Sequence, residues 1–187
     1  ISLGLVGSEM CIRDSDQTVR LMNQGFTATE ISNMLDLPPS LSQEFYNRDY
    51  YGTVSHNVRA VYNFYLGYFD GVPANLNPLT PEYRASNYMR LAGGQEGMMI
   101  HVKEAILKGD YRWAAELLNH YVFSYPKKKE ARALLADVYE QMGYQAESGP
   151  WRNFYLSGAR ELRVGVEVTR GISTASPDMV SLSLIHI

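Results

Sequence analysis

The chain has 187 residues, 45% of them hydrophobic and 20% charged, enough for one globular domain or one domain plus part of a neighbour, and too apolar for a disordered tail. A net charge of -3 and a pI near 5.8 leave no basic stripe for nucleic acid or an anionic bilayer, so neither a nucleic-acid partner nor a membrane span is expected. The single cysteine, Cys11, excludes an internal disulfide framework, and His56, His101, His120 and His186 stand at no ligand spacing such as HxH or HxxxH, so this chain is expected to hold no metal or other cofactor by itself.

In chain order, residues 1–15 lack the basic start and the small-residue cleavage site of a signal peptide. They resemble translated sequencing-adapter read-through and are expected to be adapter-derived or disordered, and residues 180–187 to be adapter-derived, so Cys11 and His186 carry no functional expectation. Thr27-Ala28-Thr29-Glu30 has the pattern of a capping box opening a helix with Ile31, Met34 and Leu35 at helical spacing. Pro38-Pro39 is expected to stop that helix and Ser40 to cap a short one carrying Leu41, Phe45 and Tyr46. Thr53 to Phe69 reads as a strongly amphipathic helix, with Val54, Val58, Val61, Tyr62, Tyr65, Leu66 and Phe69 on one stripe. The turn-rich stretch from Asp70 to Pro81 follows as a loop. Five further helical patterns run over about 81–92, 95–108, 111–124, 128–142 and 145–162, and no sheet is expected before the last twenty residues.

From Gly109-Asp110-Tyr111 to Gly143 the chain resembles one tetratricopeptide-like unit, with a period of thirty-four residues. Ala114, Ala115 and Ala131 let two antiparallel helices approach closely, while Tyr111, Leu118, Leu135 and Tyr139 fill the seam; a generic helical hairpin is the alternative. One unit cannot bury both faces, so the helices before and after it are expected to stack on either side. The expected fold is therefore all-α, a tetratricopeptide-like array of antiparallel helices.

Longer strings carry a family resemblance. Tyr50 to Tyr62, Tyr65 to Gly71, Pro73-Ala74 and Asn77-Pro78-Leu79 are similar to the middle of alkyl sulfatases, which have a metallo-β-lactamase-like catalytic domain. Gly109 to His120 and Gly143 to Leu156 resemble that family's helical dimerisation domain, and Ile172 to Met179 resembles a link to a third, sterol-carrier-like domain. The implied layout is 16–80 for the end of the catalytic region and linker, 81–163 for the dimerisation domain, and 164–179 for the link. The resemblance implies a homodimeric two-zinc enzyme hydrolysing alkyl sulfates to alcohol and sulfate, exported in some relatives. Its HxHxDH zinc motif has no match here, so the fragment alone is expected to be inactive.

Within that resemblance His56 is the candidate catalytic residue, with Tyr51 and Asn57 behind it. His56, Asn57 and Arg59 lie at the start of an apolar helix, whose free amides favour an anion. A sulfate ester is an anion whose leaving oxygen gains charge, so His56 is expected to face the cleft as proton donor or as binder of a sulfate oxygen, unless it only satisfies backbone. Arg59 is expected to pair with a carboxylate across the domain boundary. His101 and His120 read as core or surface histidines, Lys127-Lys128-Lys129 as a solvated helix start, and Trp113, Trp151, Phe154 and Tyr155 as packing anchors. Met89 and Met98-Met99 read as core filling, with an alkyl-chain channel as the alternative. An apolar patch around Val54, Val58, Tyr62 and Leu66 is expected, bared by an absent catalytic domain. The competing reading is a tetratricopeptide-like interaction adaptor without activity.

Overall fold

The structure is a computed structural model that describes residues 13–165; the expectations for Cys11, His186 and the link to a further domain lie outside the described residues. The described chain is all-helical, without a strand. Its helices are α1 (13–22), α2 (Ala28–Met34), α3 (Pro39–Ser42), α4 (Val54–Leu66), α5 (Pro81–Leu91), α6 (Gly94–Leu107), α7 (Tyr111–Ser124), α8 (Lys129–Gln145) and α9 (Gly149–Val164). Single 3₁₀ turns lie at Phe45–Asn47 and Pro73–Asn75. None of these helices is long and apolar enough to cross a membrane.

Side-chain caps set most of the starts. The Thr27 capping box is complete: the Glu30 amide donates to Thr27 Oγ1 at 3.3 Å, and the Thr27 amide donates to Glu30 Oε2 at 2.8 Å. Thr53, Thr80, Asp110 and Ser148 cap α4, α5, α7 and α9 in the same i to i+3 manner. Two expectations need correction. Ser40 lies inside α3, whose N-cap is Pro38, because proline at the first helical position needs no amide donor. Helix α4 ends at Leu66, short of Phe69, since Gly67 takes a φ of 74° that closes the helix.

The helices form two packed groups with separate apolar cores. In the C-terminal array, α7 is flanked by α5, α6 and α8, and α9 packs on α8. Its core runs through Met89, Met98, Val102, Leu117, Leu118, Tyr121, Leu135 and Val138, with Ala105, Ala114, Ala115 and Ala131 allowing close helix approach. Tyr111 and Tyr139 border it, as the repeat pattern requires, and the core methionines fill it rather than line a channel. At the α5–α6 corner a Cβ on Gly97 would fall 1.9 Å from the Ala92 carbonyl oxygen, so only glycine fits. Arg163, in the last turn of α9, ties it to α8 through Asp137 at 2.7 Å and Glu140 at 2.6 Å.

The N-terminal group is smaller. Leu21 of α1, Ile31 of α2, and Val54, Val58 and Tyr62 of α4 form its core. The α4 stripe expected to be bare is thus covered within the chain: Val58 is fully buried against α1 and α2, and of the four expected patch residues only Leu66 is exposed. Exposed aromatic groups on α4 and just after it lie elsewhere, at Phe64, Tyr65 and Tyr68. The boundary expected at residue 16 falls inside α1, where Asp14 is buried.

The two groups meet at one polar joint, where the α8–α9 turn lies against the segment leading into α4. The Gly149 amide donates to the Tyr50 carbonyl at 2.8 Å, the Ser148 hydroxyl donates to the Tyr51 carbonyl at 2.7 Å, and Arg48 pairs with Glu147.

Candidate functional site

Two helix starts converge at this joint by the same local rule. Thr53 caps α4 by accepting from the His56 amide at 3.1 Å, and Ser148 caps α9 by accepting from the Trp151 amide at 3.4 Å. His56 and Trp151 therefore occupy equivalent places, three residues beyond their caps. Because Ser148 also bonds the Tyr51 carbonyl, the two first turns are held side by side. The Trp151 indole Nε1–H donates to His56 Nδ1 at 3.0 Å, and the rings lie tilted with centroids 4.7 Å apart.

His56 and Trp151 form one wall of a cleft of about 510 Å³, which Ser32 and Asn33 of α2, Ser55 and Arg59 of α4, Arg112 of α7, and Phe154 and Tyr155 of α9 also line. Among the described residues no carboxylate lines it. Neither Arg59 nor Arg112 has a carboxylate partner among the described residues, so the expected Arg59 ion pair is not formed there. Two guanidinium groups, hydroxyl and amide donors, and the positive ends of two helices give the cleft the character of an anion site. Loss of surrounding water, and after it the Arg59 charge, push the His56 pKa below the ordinary histidine value, favouring neutral imidazole.

The other two candidates point away from this cleft. Asn57, one residue round the helix, donates through Nδ2 to Asp14 Oδ2 at 3.2 Å and so links α4 to α1. Burial raises the pKa of that Asp14 carboxyl, partly offset by the Asn57 hydrogen bond and by Arg13. Tyr51 is 81% exposed, and its contribution to the joint is its backbone carbonyl. His101 is exposed on α6. His120 stacks on Tyr88 with centroids 4.3 Å apart; desolvation lowers its pKa, opposed by Glu116 and reinforced by Arg84.

Trp151, read from the sequence as a packing anchor, lines the cleft, and Arg112, Ser32, Asn33 and Ser55 are lining residues that sequence reasoning passed over. A usable signal existed for Trp151, since Ser148-x-x-Trp151 repeats the cap spacing of Thr53-x-x-His56. Trp113 and Phe154, read as packing anchors, are instead exposed, and Lys127 to Lys129 form the solvated approach to α8. Among the described residues no three His, Cys, Asp or Glu side chains gather as a metal-holding group.

Comparison with known proteins accounts for the arrangement. The alkyl sulfatase dimerisation family matches residues 27–165. A linear primary-alkylsulfatase from a Pseudomonas species is 50% identical over 166 residues, covering 89% of this chain and 25% of that protein. The alkyl/aryl-sulfatase BDS1 of Saccharomyces cerevisiae is also 50% identical, over 83% of this chain and 24% of its own length. The solved structure of the stereoselective inverting sec-alkylsulfatase Pisa1 from Pseudomonas superposes with a TM-score of 0.83 at 46% identity, covering 91% of this chain and 28% of that one. The chain thus spans about a quarter of the length of these relatives. The adaptor reading finds no support in these matches. With an all-helical array in the expected order and a family match from α2 to the end of α9, the chain belongs to the alkyl sulfatase dimerisation family.

Proposed function

We propose that this chain is the part of an alkyl sulfatase that joins the catalytic region to the subunit interface, and that the whole protein hydrolyses sulfate esters of primary alcohols to alcohol and sulfate. In this reading residues 16–80 carry the end of the catalytic region and the linker, and residues 81–163 the homodimer-forming array, within the wider 27–165 span that the dimerisation family matches. The zinc ions implied by the family resemblance have their ligands in the part of the enzyme before residue 16.

The observation that carries the reading is the anion-suited cleft at the joint, in a chain whose relatives are named alkylsulfatases. Arg59 and Arg112 balance the charge of a sulfate ester. His56 meets an ester or leaving-group oxygen as donor, and the aromatic wall of Trp151, Phe154 and Tyr155 limits water on one side. Dodecyl sulfate turnover tests the reading. The full-length enzyme should release sulfate and the isolated 187-residue chain should not; sulfate release by the isolated chain, or none from the full-length enzyme on any alkyl sulfate, overturns it.

A further inference from the structure

We propose that Trp151 is a positioning residue that locks His56 in the Nε2–H tautomer, so that His56 meets a bound anion as a neutral hydrogen-bond donor rather than as a proton donor. The proposal rests on the reading of this cleft as part of the alkyl sulfatase site and narrows the two roles open to His56 to one.

An indole nitrogen carries a hydrogen and no available lone pair, so it can only donate. Trp151 Nε1 lies 3.0 Å from His56 Nδ1, and Nδ1 must therefore be the acceptor, without a proton. The ring proton of neutral imidazole then sits on Nε2, the nitrogen left to bond a ligand. Protonating Nδ1 would set two N–H groups against each other and break this contact, so Trp151 selects the neutral form. The Arg59 charge on its own helix acts in the same direction, and the rest of the lining brings no anion to favour imidazolium: Arg112 from α7 is a second cation, α2 contributes Ser32 and Asn33, and α9 the phenol of Tyr155. The Trp151 ring holds the imidazole plane by contact, and the Ser148 cap sets the first turn of α9 that carries it.

Nitrogen-15 NMR of histidine-labelled chain, recorded from about pH 5 to pH 8, tests this without any variant. His56 should show an unprotonated Nδ1 and a protonated Nε2 at neutral pH, titrating below the ordinary value of about 6.5. In Trp151→Phe, which keeps the ring contact but removes the donor, both tautomers should appear and the His56 pKa should rise. A tautomer mixture or a protonated Nδ1 in the unmodified chain at neutral pH overturns the proposal. In the full-length enzyme, Trp151→Phe should lower kcat/KM about three- to tenfold, the worth of one hydrogen bond, and shift the acidic limb of its pH profile upward. The two readings fail separately. A locked tautomer together with unchanged turnover in His56→Ala removes the catalytic reading and with it the anion-donor role; a mixed tautomer with lost turnover removes the positioning role alone.

Discussion

The C-terminal array and the N-terminal group are both helical, but they are held together by different means. In the array, α5 to α9 interdigitate around a continuous core in which Leu118 is fully buried, and alanines bring the backbones close. The N-terminal group has five core residues drawn from three separate helices, and it meets the array at the joint through two backbone acceptors, one ion pair and one pair of rings. The candidate cleft opens at that polar joint and not in either core. A tightly packed array suits a subunit scaffold, while a hydrogen-bonded joint fixes polar side chains without enclosing them in apolar surroundings. The placement of His56 therefore depends on how the two groups dock.

Substitutions should separate the two regions by size of effect. Leu118→Ala empties the centre of the array and should cost about 2–5 kcal/mol in denaturant unfolding, a loss of apolar contact and a residual cavity together. Ser148→Ala acts on the joint: it removes the α9 cap and leaves the Tyr51 carbonyl without its donor. It should cost about 1–2 kcal/mol, with a loss of the Trp151–His56 contact visible in indole NMR shifts. Arg48→Ala should cost the least. Its bridge to Glu147 joins side chains that are 50% and 37% exposed, so the loss should be about 0.2–1 kcal/mol at low salt and shrink as salt is added. A Leu118→Ala effect no larger than that of Arg48→Ala would break the contrast drawn between core and joint.

Much of the helical order is legible from local chemistry, because caps and stops are short-range signals. Thr27 with Glu30, proline after Thr80, and the glycines at 93, 94 and 109 mark helix starts and turns within a few residues of where they occur. The period-thirty-four unit likewise places α7 and α8, since small and large apolar side chains alternate on their facing sides. What covers a stripe is not a local property. The α4 pattern shows that Val54, Val58 and Tyr62 need burial, but not that Leu21 and Ile31 of the same chain provide it. The cleft is less legible still: His56 and Trp151 are 95 residues apart, and one sequence holds no record of which distant side chains meet. Only the twin cap spacings hint that two helix starts are built alike. Asn57, a candidate beside His56, is turned instead to the bond with Asp14 by the 100° step of the helix, which spacing alone does not foretell.

Under the proposed function, the joint brings His56 into the reaction of the whole enzyme. Steady-state hydrolysis of a linear primary alkyl sulfate by the full-length protein, unmodified and as His56→Ala, tests it most directly, with zinc content and melting temperature measured in parallel. The account predicts a fall in kcat/KM of about a hundredfold or more, as for loss of a donor to developing charge, with zinc content and melting temperature unchanged. Unaltered kcat/KM in His56→Ala would contradict it.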